Sequence, residues 1–167
     1  MAKTNIPRGI RNNNPLNIRF SEHNAWLGRK EYDNKTDKSF EEFTDLYYGL
    51  RAGIILLRRY IEQGCNSVER IIQRWAPMSE NNTEAYIKHV CEWSGFNRQQ
   101  KIRWENPNDM IALVSTMMRV ECGVSGMEWK KRVAAAYVTY RTVIPATHEG
   151  RYEMILAAIE SVMGGSL

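Results

Sequence analysis

The sequence predicts a mainly α fold of the α+β kind, a helical domain with a small β-region near its N-terminus. Three observations carry this. Turn-forming residues and short alternating segments crowd the chain before Leu46, apolar residues recur at helical spacing from Leu46 onward, and helix-start signals then return at intervals. With 167 residues, 43% of them hydrophobic, the chain suits one domain with a real core.

Taken in order, Asn12 to Pro15 is turn chemistry, and "LNIRF" after it alternates as a half-buried strand does. "SEHNAWLGRKEYDNKTDK" is polar, with Asp33-Asn34 as a hairpin tip, and "SFEEF" reads as a returning strand, so a small irregular sheet of two or three strands is expected. Leu46, Leu50, Ile54, Leu57 and Ile61 share a helical face that Gly64 is placed to end. Ser67 can cap a short helix through Ile71, Ile72 and Trp75, which Pro77 breaks. Asn81 and Glu84 have capping-box spacing for a helix carrying Tyr86, Val90 and Trp93 and stopping near Gly95. Asn106-Pro107 opens the next helix, and Ser125 with Glu128 offers another capping box ahead of Trp129, Val133, Ala136, Tyr137 and Tyr140. After Pro145, the residues Tyr152, Leu156, Ile159 and Met163 suggest a last amphipathic helix before a Gly-Gly tail. The organisation expected is a single domain over 1–144, with a β-wall at 9–44 and helices at 45–144, followed by a C-terminal helix and flexible tail at 145–167.

A net charge of +4 and a pI near 9.0 favour anionic surfaces such as a cell wall or nucleic acid without choosing between them. Arg8, Arg11, Arg29 and Lys30 are the basic residues a nucleic acid would meet, but no recognised nucleic-acid motif accompanies them. Cys65, Cys91 and Cys122 form neither a disulfide framework nor a zinc pattern, and His23, His89 and His148 lie far apart. No metal and no cofactor is called for. The opening residues lack the apolar core of a signal peptide, and no run is long enough to span a bilayer, so synthesis in the cytoplasm is expected.

One residue breaks the pattern. In "MIALVSTMMRVECG", Met110, Leu113, Val114, Met117 and Glu121 fall on one stripe, so a carboxylate sits where an apolar side chain belongs. Burial and the C-terminal end of the helix dipole both push such a carboxyl toward its protonated form, which suits a general acid. The alternative is an internal glutamate paired with an arginine. Two polar clusters stand beside it. Asn14 and Asn17 lie in "GIRNNNPLNIRF", where amides can either bind sugar hydroxyls or close their own turn. "RWAPMSENNTEAYI" places Trp75 near Glu80, Asn82, Thr83 and Tyr86, an aromatic plane beside amides and a hydroxyl as in polysaccharide grooves, although Trp75 also fits a core position.

These stretches, together with Trp26 to Gly28 and "GLRAG" at 49–53, resemble a family of phage and prophage proteins described as virion structural or lysozyme-like lytic proteins. Its hallmark is an opening close to G-I-R-N-N-N-P-G-N-I-R and a later R-W-A-P-x-x-E-N-x-T box; Leu16 stands where the hallmark has glycine. A looser similarity to the lysozyme superfamily lies in "MMRVECG", like a catalytic glutamate at a helix end, and in the β-wall. The order of the two is inverted, which implies a circularly permuted lysozyme-like domain.

The resemblance implies a peptidoglycan-degrading glycosidase, either a muramidase or a lytic transglycosylase, acting at the bacterial wall after release or as part of a virion. Glu121 is then the general acid/base, with Glu80, Glu41, Glu42 or Asp33 as sources of a second carboxylate, and Asn14, Asn17, Trp26, Trp75, Asn82, Thr83 and Tyr86 as substrate contacts. The expected partners are glycan strands and other virion proteins, with no nucleic acid and no membrane span. The other reading is a non-catalytic virion or wall-binding module on the same scaffold.

Overall fold

The computed structural model of the protein describes residues 5–140. The expected C-terminal helix through Tyr152 and Met163 lies outside the described residues. Six α-helices follow one another among those described: α1 (Arg8–Arg11), α2 (Leu46–Glu62), α3 (Val68–Trp75), α4 (Thr83–Ser94), α5 (Pro107–Cys122) and α6 (Met127–Thr139). The fold is mainly α. None of these helices is long and apolar enough to cross a membrane.

Local chemistry sets most of the boundaries. Asp45 accepts the Tyr47 amide at 2.8 Å to open α2, and Ser67 accepts the Arg70 amide at 3.3 Å to open α3. Asn106 caps α5 with Pro107 in its first turn, and Gly123 at φ 70° ends it in the left-handed conformation. Two expected caps differ. Asn82, not Asn81, caps α4 by accepting from the Ala85 amide at 3.1 Å, while the Asn81 amide reaches back to the Pro77 carbonyl. The Ser125–Glu128 box does not form, because Gly126, at φ 104°, takes the cap position itself without a side-chain bond.

α5 is the central helix, packing against α1, α2, α4 and α6. Leu113, Val114 and Met117 from α5 meet Leu50, Ile54 and Leu57 from α2, Ile71 and Ile72 from α3, and Val133 and Ala136 from α6 in one buried cluster. Each fully buried side chain of the Leu or Ile type stabilises the fold by about 1.5–3 kcal/mol.

The N-terminal region is less regular than its alternation suggested. "LNIRF" and "SFEEF" do meet antiparallel, but among the described residues only through one isolated bridge, Arg19 with Phe40, and a second isolated bridge ties Arg29 to Phe43. Side chains take the place of a ladder: Asn14 Nδ2 donates to the carbonyls of Ile18 and Glu41, each at 3.0 Å, and its Oδ1 accepts the Ile18 amide. The region is docked on α2 by close approach. A Cβ on Gly49 would strike the Asn13 carbonyl, and one on Gly53 would strike the fully buried Leu16 side chain. "GLRAG" is thus the bed on which "NNNPL" lies.

Candidate active site: a groove around Glu121

The last turn of α5 carries Glu121 to the junction of the helical part and the N-terminal loops. Its position on the apolar stripe leaves it half-buried rather than enclosed. Both oxygens accept a neutral donor: Tyr86 Oη, from α4, donates to Oε1 at 3.0 Å, and Asn17 Nδ2 donates to Oε2 at 2.9 Å. Among the described residues Glu121 forms no ion pair, so the arginine partner of the alternative reading is not found among them.

The two donors are themselves fixed. Tyr86 is buried, and burial together with the neighbouring charge of Glu121 lifts its phenol well above the ordinary value, so it stays protonated and able to donate. Asn17 holds φ 51°, in the left-handed region that side chains other than glycine adopt sparingly. Beneath it, α1 presses Gly9 against Cys122 Sγ and Asn17 Oδ1, a fit that no larger residue allows. The Cys122 thiol donates to the Pro15 carbonyl at 3.3 Å, and burial pushes it up to about 11. Packing therefore fixes the N-terminal loop against the end of α5, and the acid with it.

Glu121 faces a groove of about 470 Å³, within the size range of small-ligand sites. Asn17, Trp75, Glu80 and Asn81 share its lining with Arg8, Arg19 and Phe40. Trp75 is half-buried at the end of α3, its ring edge-on to Tyr60 with centroids 6.1 Å apart. Glu80 is ion-paired to Arg19 at 3.0 Å, with both side chains more than half exposed. The guanidinium of Arg8 lies 3.6 Å above the Phe40 ring, and that of Arg19 lies 5.1 Å from the same ring.

Of the residues singled out from the sequence, the groove brings together Glu121, Asn17, Trp75 and Glu80, with Tyr86 supporting Glu121 from behind. Seven others are placed elsewhere, among them Asp33, outside the groove lining, and Glu42, buried and held by Lys30 and Thr36. Asn14 is a fully buried turn residue, and Trp26 is a core residue packed with Ile18, Phe43 and Ala52. Asn82 is occupied as a helix cap, and the Thr83 hydroxyl bonds the Ala76 carbonyl at 2.5 Å. Glu41 is fully buried outside the groove, with Arg29 Nε 3.7 Å from its Oε2; burial lifts its carboxyl above the ordinary range. Arg19, Phe40 and Asn81 were not foreseen as site residues, because nothing local in the sequence joins the loop at 19 and 40 to the turn after α3.

No family model matches the chain. It is 41% identical over 134 residues to Protein P5 of Pseudoalteromonas phage PM2, an alignment covering 73% of this chain and 81% of that protein. Similarity of that extent includes most of both chains, and the chain belongs to the family of phage PM2 Protein P5.

Proposed function

We propose that the protein is a phage-type glycosidase that cleaves peptidoglycan, with Glu121 as general acid and then base. The observation that carries the reading is the carboxyl of Glu121, gripped by two neutral donors and open to a groove that also presents the Trp75 ring. Each carboxyl oxygen keeps acceptor capacity after one bond, so a protonated Glu121 can direct its O–H into the groove while Tyr86 and Asn17 fix its plane. The leaving glycosidic oxygen takes that proton, and charge develops on the sugar as the bond breaks.

A second carboxylate would be needed for direct hydrolysis. Glu80 shares the groove but is engaged by Arg19, whereas Glu41 lies outside it. This favours the single-carboxylate route of a lytic transglycosylase. The sugar's own hydroxyl attacks the anomeric carbon, Glu121 takes back the hydroxyl proton, and an anhydro end results. On this reading the protein acts at the bacterial wall, and other virion proteins are the partners that deliver it.

The test is Glu121→Gln, which preserves shape and one acceptor oxygen: the amide oxygen can accept from Asn17 Nδ2 while the amide nitrogen donates to the Tyr86 hydroxyl. Lysis of purified walls should fall at least about a thousandfold, with thermal stability little changed and anhydro ends found by mass analysis only with the unsubstituted protein. Undiminished lysis by the variant excludes the role. Absence of any cut by the unsubstituted protein assigns the chain to non-catalytic wall binding or virion structure.

A further inference from the structure

Arg8 has no assigned task in the chemistry above. Its side chain is exposed on the groove lining, stacked on Phe40, and no hydrogen bond or ion pair among the described residues takes up its guanidinium. The neighbouring Arg19, by contrast, already has Glu80. Arg8 is also held in place: it opens α1, and the next residue, Gly9, is wedged against Cys122, the residue following Glu121. A planar cation stacked on an aromatic face thus lines the groove that Glu121 faces. Guanidinium geometry matches carboxylate oxygens in pairs.

We infer that Arg8 forms a carboxylate subsite beside the cleavage point, so that the substrate is an acidic glycan rather than a neutral amino-sugar polymer. The inference rests on the groove being a glycan site. Wall glycan can offer such a carboxylate from two sources, the lactyl ether on the sugar itself where the peptide has been removed, or the free carboxyls of an attached peptide.

The experiment measures binding of the full chain to four soluble glycan preparations: peptide-free strands and peptide-bearing strands, each native or with its carboxyls amidated. Binding should be about tenfold tighter to a native strand than to its amidated form, as one charge-assisted contact implies. The preparation showing that difference identifies the source. Arg8→Ala should lose the difference, Arg8→Lys should keep part of it, and circular dichroism confirms that each variant is folded. Equal binding to native and amidated strands, or full discrimination retained in folded Arg8→Ala, overturns the subsite. Cleavage is scored separately. Carboxylate-dependent binding without a cut keeps the subsite and ends the enzymatic reading, whereas a cut indifferent to amidation does the reverse.

Discussion

Asn17 holds Glu121 from the other end of the chain: its amide donates to Oε2 at 2.9 Å across 104 positions, from a backbone at φ 51°. That backbone conformation costs about 1–2 kcal/mol for a residue with a Cβ, less for asparagine, and is sustained by the surrounding packing. Two variants separate its roles. Asn17→Gly relieves the backbone and removes the amide, while Asn17→Ala removes the amide and keeps the strain. Turbidity assays should find lysis reduced about tenfold or more in both, and thermal unfolding should find only the alanine variant less stable, by about 1 kcal/mol. Full lysis by Asn17→Gly would reduce Asn17 to a turn residue.

Tyr86→Phe keeps the buried ring and removes the donor to Oε1. The expected loss is about 1–2 kcal/mol in stability and a clear fall in lytic rate. The pH profile adds an independent check. Burial and Glu121 lift this phenol well above its ordinary 10.0, so below that value it is neutral both folded and unfolded. As pH rises past it, the unfolded chain gives up its proton first and the folded state loses stability. Melting temperature should therefore fall less steeply above about pH 10 in Tyr86→Phe, with a residual slope from Tyr47 and Tyr60, which burial also lifts.

Glu80→Gln distinguishes the two chemical routes. Loss of the exposed pair with Arg19 should change stability by less than about 1 kcal/mol. If Glu121 works alone, lysis persists in this variant and anhydro ends remain the product. Reducing ends from the unsubstituted protein, abolished by Glu80→Gln, would instead assign a two-carboxylate hydrolase.

Glu41 should matter for folding and not for cleavage. Burial lifts its carboxyl above 4.5, against the opposing attraction of Arg29 and Lys35. A raised carboxyl gives its full stabilisation below the unfolded value and loses it as pH climbs through the folded one. Glu41→Gln should accordingly flatten the fall of melting temperature with rising pH above about 4.5. Its lytic rate should match that of the unsubstituted protein, since the side chain lies outside the groove; a large fall in rate would contradict that placement.

The helical part was legible because its signals are local. Asp45, Ser67 and Asn106 begin helices with side chains that reach only two or three residues along the chain. The sheet was over-read for the opposite reason. Alternation in "LNIRF" reports one buried face, but Asn14 satisfies the Ile18 and Glu41 carbonyls with its own amide, and a continuous ladder is not built. Glu121 betrayed itself by interrupting an apolar stripe. Its partners Asn17 and Tyr86 were singled out only as substrate contacts, and Asn17 together with Asn14, because an asparagine that supports an acid and one that closes a turn have the same composition and stand three residues apart. Trp75 and Trp26 pose the same ambiguity: only the tertiary arrangement puts one on a groove and the other in the core.

The thiol of Cys122, next in the chain to the proposed acid, is walled in by Gly9 and Pro15 and stays protonated through neutral pH. Oxidants and electrophiles attack the thiolate, so this sulfur resists sulfenylation and disulfide exchange. The tightest packed corner of the site therefore keeps its dimensions under oxidising as well as reducing conditions.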